Sequence, residues 1–242
     1  GRRTNRFRKG DFAASDWKLA LNLGIDFKTP EVFFGNSKAK IHTDLSMRNL
    51  GFDPRNYFTI SNVNKQKLNL YLEELKKPEW QNCRLILMVG SPSSGKSSIV
   101  RNIFPNHIIV SQDFTNMKTK AKCKKVAVNE LRSNNNVIVD NTNRSISTRE
   151  YWTKMAKKEG IENNVRCIYC DIPKEVALHL NTVRMLLKEK ELKGQKSVPK
   201  IAIHSFFKNL EKPSPQEETF EKVYKMDFVP QQKHKLYSTF VM

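Results

Sequence analysis

Gly90-Ser91-Pro92-Ser93-Ser94-Gly95-Lys96-Ser97 spells glycine, four residues, glycine, lysine, serine, directly behind the apolar run Leu85-Ile86-Leu87-Met88-Val89. Few folds accommodate that order. A strand that enters a glycine-rich turn and opens a helix at Ser98-Ile99-Val100 aims backbone N–H groups and a positive helix end at one point, the arrangement that binds a phosphate chain. Gly90 and Gly95 permit tight or positive-φ backbone. Ser91, Pro92, Ser93, Ser94 and Ser98 complete the cradle, Lys96 is placed to span β- and γ-phosphates, and Ser97 is placed to hold Mg²⁺. The competing reading is an ordinary serine-rich turn, and the agreement of strand, loop and helix start weighs against it.

Beyond the loop, short apolar runs at 85–89, 107–111, 136–140 and 165–171 alternate with helical stretches. That alternation predicts an α/β fold with a central parallel sheet. Ser147-Thr148-Arg149-Glu150 reads as a capping box ahead of Trp152, Met155 and Ala156, with Gly160 closing the helix. Leu68, Leu72 and Leu75 share one face of an amphipathic helix that leads to Pro78. The first fifty residues differ. Asp16 is expected to cap a short helix through Leu21 that stops at Gly24, and Thr29-Pro30-Glu31 to start another, with no sheet of their own. They read as the tail of a larger domain, with a boundary near Asp53-Pro54-Arg55-Asn56. The expected division is 1–57, a linker helix over 58–82, and the phosphate-loop domain over 83–242.

Of the 242 residues 38% are apolar, enough for one substantial core. No apolar run is long enough to cross a bilayer, and Gly1-Arg2-Arg3-Thr4 does not resemble a signal peptide, so a soluble intracellular chain without a membrane partner is expected. The net charge of +19 attracts polyanions, with nucleic acid the leading partner. Lysine enrichment for solubility is the blander account. Cys167 and Cys170 imitate a CxxC motif, but they lie on an apparent strand, where residues three apart face opposite sides. Together with Cys83 and Cys123 they read as ordinary reduced cysteines.

Two acids stand at strand ends, where open α/β sheets bind ligands. Asp113, in Ser111-Gln112-Asp113, is a candidate general base for phosphoryl transfer to an alcohol, against a helix N-cap. Asp140, heading Asp140-Asn141-Thr142-Asn143, is a candidate to support hydrated Mg²⁺ or bind substrate, against a self-satisfying turn. Lys118 and Lys120 begin a basic stretch through Lys125 suited to backbone phosphates. A second basic stretch, 188–200, follows Arg184 and suits a lid that brings an arginine to the transferring phosphate, against a solvated helix face.

As a set, these motifs resemble the bifunctional polynucleotide kinase 3′-phosphatases of DNA strand-break repair. Val89 to Ser97, Ser111-Gln112-Asp113, Val139-Asp140-Asn141-Thr142-Asn143 and Phe206-Phe207-Lys208-Asn209-Leu210-Glu211-Lys212-Pro213 look like that family's kinase motifs in order. Lys9-Gly10-Asp11-Phe12-Ala13-Ala14-Ser15-Asp16, Ala20-Leu21-Asn22-Leu23-Gly24 and Gly51-Phe52-Asp53-Pro54-Arg55 resemble the end of its haloacid-dehalogenase-like phosphatase domain and the junction with the kinase.

The resemblance implies an ATP- and Mg²⁺-dependent kinase acting on 5′-hydroxyl ends of DNA, with RNA as a second candidate. Asp113 falls on the general base. It further implies a nuclear, monomeric protein that meets strand-break repair proteins, and a C-terminal phosphatase remnant over 1–57. The aspartyl nucleophile motif Asp-x-Asp-Gly-Thr does not occur in the sequence, so this chain itself is expected to lack 3′-phosphatase activity. Gln112 and Phe206 depart from residues seen in relatives, and one arginine, Arg184, stands where relatives carry two. A small-molecule P-loop kinase and a non-catalytic nucleic-acid-binding module are the alternatives. No Asn-Lys-x-Asp guanine signature is present.

Overall fold

Each of the runs 85–90, 137–140 and 165–170 is buried from end to end. Strands apolar on both sides require cover on both sides, and a parallel sheet between helices supplies it. The computed structural model shows this arrangement; it describes residues 14–28, 33–34, 52–58, 62–114, 116–188, 198–214, 220–227 and 235–240.

The strands are β1 (Leu85–Gly90), β2 (Ile108–Val110), β3 (Val137–Asp140), β4 (Val165–Cys170) and β5 (Lys222–Met226). They pair in the order β2-β3-β1-β4-β5, all parallel. Alternation along β1 divides the core. Leu85, Leu87 and Val89 join Trp152, Met155 and Ala156 of the helix Ile146–Lys158 and Cys123, Ala127 and Leu131 of the helix Lys120–Arg132. Ile86 and Met88 join Val100 and Ile103 of the helix Lys96–Ile103, Leu75 of the helix Asn62–Leu75, and Trp80. Cys167 belongs to the first cluster and Cys170 to the second, as strand geometry requires of residues three apart. All four cysteines are buried free thiols.

Contacts divide the chain into two compact units, one of 60–230 and one joining 1–59 with 231–242. The helix Asn62–Leu75 therefore sits with the sheet: its Glu74 accepts from Lys222 Nζ of β5 at 2.6 Å. In the other unit, the helix Ser15–Leu23 ends at Gly24 in left-handed conformation, φ 68°. Asn22 exchanges two hydrogen bonds of 2.8 Å with the backbone of Phe240, and Arg55 lies over the Phe240 ring at 5.0 Å.

Some local expectations need correction. Asp16 lies in the first turn of its helix and does not cap it; the N-cap is Ala14, with no side-chain hydrogen bond. The expected capping box at 147 begins two residues too late, because the Ser145 hydroxyl accepts from Thr148 N at 3.3 Å and caps the helix. β5 was not anticipated; it is a half-exposed edge strand with little apolar signal. The expected helix start at Thr29 and the motifs over Lys9 to Ala13 and at Gly51 lie outside the described residues, as does most of the 188–200 stretch. Among the described residues, no helix is long and apolar enough to cross a membrane.

Candidate active site at the phosphate loop

β1 is the central strand, and its last residue already shapes the site. Gly90 faces Cys170 across the β1–β4 pairing, where an added Cβ would meet Ser94 Oγ at 2.9 Å and Cys170 Cβ at 3.0 Å. Gly95 takes φ +89° and caps the helix Lys96–Ile103 without a side chain. A bare N-terminus leaves its N–H groups open to an anion. Lys96 is buried, and its ammonium donates to Gly90 O at 3.0 Å, Ser91 O at 2.7 Å and Ser94 Oγ at 3.3 Å. Burial pushes its pKa down, while the negative charges of Asp140 and Asp113 oppose that shift and Arg184 adds to it.

Ser97 Oγ donates to Asp140 Oδ2 at 2.6 Å. The loop after β1 is thereby tied to the end of the neighbouring β3, where Asp140 pairs with Met88. These are hard oxygen donors at a phosphate loop, and they fit Mg²⁺, which needs only one or two protein ligands besides phosphates and water. Among the described residues, no group of three or more His, Cys, Asp or Glu side chains could hold a metal.

The β2 and β3 ends are stitched together: Ser111 Oγ donates to Asp140 O at 2.8 Å, and Gln112 N donates to Asn141 Oδ1 at 3.0 Å. Asp113 N donates to Ser111 Oγ at 3.3 Å, and the residue is exposed beside the loop. It is not an N-cap, since Thr119 caps the helix that follows. Arg184, on the helix Lys174–Lys188, is half-buried. Burial lowers its pKa, opposed by the charge of Asp113 and reinforced by that of Arg101. Lys96, Asp140, Asp113 and Arg184 thus form one electrostatic neighbourhood at the carboxyl end of the sheet. Lys96 and Asp140 are bonded into the loop, Asp113 is exposed and Arg184 half-buried, residue types able to bind a phosphate chain and accept a proton beside it.

Of the turn after β3, Asn141 and Thr142 tie it to the neighbouring strand ends; Asn141 Oδ1 accepts from Gln112 N, and Thr142 O accepts from Gly90 N at 3.2 Å. Asn143, the last residue of that turn, sits deeper than Asn141 and Thr142. It is 2% exposed and turned inward, its Nδ2 donating to Met88 O at 2.8 Å and Val139 O at 3.4 Å. These bonds tie the turn to the ends of β1 and β3. Lys118 is exposed, and Lys120 and Lys124 lie over the Tyr151 ring at 5.0 and 4.8 Å.

One residue of the site's support went unread in the sequence. Arg149, wholly buried, donates to Asn143 O at 3.1 Å and to Glu211 O at 2.9 Å. With Glu211 N donating to Arg144 O at 2.9 Å and Glu211 Oε2 accepting from Ile146 N at 2.6 Å, it binds the turn after β3 to the 205–213 segment. The available signal was an arginine on the same helical face as Trp152, Thr153 and Ala156, all buried.

A parallel sheet with a phosphate loop on its central strand and acids past the ends of the two strands beyond it is the architecture of the P-loop kinase fold, a nucleotide-binding fold. The chain belongs to the AAA domain family, whose model matches residues 85–213, more than half of its length. Residues 1–34 match the model for Polynucleotide kinase 3 phosphatase. The chain is 34% identical over 223 residues to the bifunctional polynucleotide phosphatase/kinase of Schizosaccharomyces pombe, covering 91% of this chain and 49% of that protein. It is 36% identical over 224 residues to a protein of Acanthamoeba polyphaga mimivirus assigned as a bifunctional polynucleotide phosphatase/kinase, covering 90% of this chain and 49% of that one. The motif resemblance read from the sequence is therefore borne out, and the chain spans about half the length of these relatives. Superposition on a fungal RNA kinase gives a TM-score of 0.45 at 14% identity, over 62% of this chain and 39% of the other.

Proposed function

We propose that this chain transfers the γ-phosphoryl group of ATP to the 5′-hydroxyl end of a polynucleotide. The observations that support the reading are the phosphate loop with Lys96 buried in it and Ser97 bonded to Asp140 at the end of β3, in a chain of net charge +19. The loop from Gly90 to Ser98 cradles the triphosphate. Lys96 leaves its loop carbonyls for the β- and γ-phosphates, so its charge is conserved while its partners change. Ser97 and Asp140 would hold hydrated Mg²⁺, which supplies neutralisation of the phosphate oxygens. Asp113 accepts the proton of the attacking hydroxyl as the new O–P bond forms and the bond to ADP breaks. Lys96 and Arg184 stabilise the charge on the group in flight, with contacts of this kind contributing about 3 kcal/mol each. Asn141 and Thr142 shape the acceptor side, and Lys118 and Lys120 draw in the strand. Residues 1–57, 58–82 and 83–242 are read as phosphatase remnant, linker helix and kinase, and DNA strand-break repair in the nucleus is the setting this substrate points to.

The test is transfer of label from ATP to a 5′-hydroxyl oligonucleotide, with small alcohols as competing acceptors. Asp113→Asn is expected to lower the rate by about 10²- to 10⁴-fold, the usual contribution of a general base, while ATP still binds. Near-wild-type labelling by this variant removes Asp113 as the base. Preferential labelling of a nucleoside or sugar removes the polynucleotide.

A further inference from the structure

Ser93, at the crest of the phosphate loop, has φ 62°. Glycine adopts that left-handed backbone without strain and serine does not. A compensating contact comes from the helix that carries Arg184: Ser93 Oγ donates to Asn181 Oδ1 at 3.2 Å. Asn181 is 1% exposed, and its Nδ2 donates to Val198 O at 2.8 Å. A backbone carbonyl can only accept, so the NH₂ end must face Val198 and the oxygen is left for the Ser93 hydroxyl. The carboxamide is locked in one orientation with both ends used.

Three elements meet in this one side chain: the loop crest, the middle of the helix Lys174–Lys188, and the turn that enters the helix Lys200–Lys208 through Pro199. Asn181 and Arg184 stand three residues apart, as neighbours on one helical face. A neighbouring face of the helix is apolar and buried, through Val176, Leu180, Val183 and Leu187. Apolar packing holds a helix against a core but does not specify its register against a polar loop, whereas a two-ended hydrogen bond does.

We propose that Asn181 is a positioning residue for phosphoryl transfer, clamping the Arg184 helix and the Val198 turn to Ser93 so that the state of the phosphate loop sets where Arg184 points. The proposal rests on the kinase reading above. Asn181 touches no substrate in this role. It acts through Ser93 on one side and Arg184 on the other.

Asn181→Leu keeps the volume and removes both hydrogen bonds. Made in the otherwise wild-type chain, it is expected to lower kcat about tenfold while the KM for ATP stays within about threefold; made together with Arg184→Gln, it is expected to change kcat by less than about twofold, because residues acting as a unit are not additive. Equal losses in both backgrounds, or a wild-type kcat in the single variant, overturn the proposal. Ser93→Gly removes the hydroxyl without straining the backbone and is expected to reproduce the kcat loss in a folded protein; retention of full kcat overturns it as well. A second readout needs no acceptor. ATP is expected to slow amide exchange at residues 202–204 together with the loop in the wild-type chain, and at the loop alone in Asn181→Leu. Equal slowing in both refutes the clamp whatever the acceptor. Coupled exchange in a protein that labels no polynucleotide leaves the clamp standing and removes the substrate assignment instead.

Discussion

The Ser97 hydroxyl and the Asp140 carboxylate are 2.6 Å apart, joining the first turn of the helix after β1 to the end of β3. The helix start and the strand end are built from separate parts of the chain, and this contact joins them. A hydroxyl alone at a helix start is a weak metal ligand, and a carboxylate behind it fixes its orientation. Asp140→Asn keeps the shape and removes the charge. It is expected to lower kcat by about 100-fold, within the range for losing one preorganised electrostatic contact, and to raise the Mg²⁺ concentration needed for half-maximal rate. A Mg²⁺ titration of labelling checks this, and an unchanged half-saturation point counts against Asp140 as a metal support.

Gly90 is required for space. A methyl group there would sit 2.9 Å from Ser94 Oγ, 3.0 Å from Cys170 Cβ and 3.2 Å from Cys170 O. The serine hydroxyl can rotate away, but Cys170 is paired with Gly90 in the sheet register and cannot. Gly90→Ala is therefore expected to destabilise the protein by about 1–3 kcal/mol, the usual range for overpacking, and to weaken ATP binding because the loop is displaced. Urea unfolding and ATP titration report the two effects separately. Full stability would mean that the strands open more easily than the contact distances allow.

The residues that repeat a local rule were the ones the sequence disclosed. Gly90 to Ser97 is contiguous, and the acids at Asp113 and Asp140 each end an apolar run, so loop and strand ends could be read without knowing the strand order. Arg149, Asn143 and Asn181 could not be read this way. Each works by meeting a segment remote in the chain: Arg149 meets Glu211, Asn143 meets Met88, and Asn181 meets Ser93 and Val198. A buried arginine or asparagine looks in sequence like any helix or turn residue. β5 was missed for a related reason, since Lys222–Met226 is half-exposed and its place at the edge is set by pairing with β4.

Glu74 anchors that edge strand. Its carboxylate accepts from Lys222 at 2.6 Å, from Lys77 at 2.6 Å and from the Trp80 indole at 3.2 Å. Lys222 first, then Lys77, hold its pKa down from 4.5 to about 2. A carboxylate with a depressed folded-state pKa contributes stability that is fully present above the unfolded value and lost as pH falls through the folded one. The contribution of Glu74 is thus expected intact above pH 4.5 and lost between there and about pH 2. Glu74→Gln removes that dependence, so wild type and variant should differ most near neutral pH and converge in acid. Urea midpoints measured across this range check it, and a constant difference refutes the assignment.

Lys118, Lys122 and Lys125 are exposed, while Lys120 and Lys124 lie over Tyr151. That geometry separates two uses of the same charge. An exposed lysine beside a polynucleotide neutralises a phosphate and releases a counterion, so it steepens the fall of affinity with salt. A lysine held over a ring has part of its charge already engaged and contributes less of it to the strand. Replacing Lys118 with Gln is therefore expected to weaken binding of a single-stranded 5′-hydroxyl oligonucleotide and to reduce the slope of log affinity against log salt by about 0.7, the value for one phosphate contact on a single strand. Lys124→Gln is expected to change the slope less than Lys118→Gln. Filter binding or anisotropy over a range of salt concentrations measures both. A slope untouched by Lys118→Gln would place the polynucleotide elsewhere on this basic surface and leave the lysines after Asp113 as a solvated face.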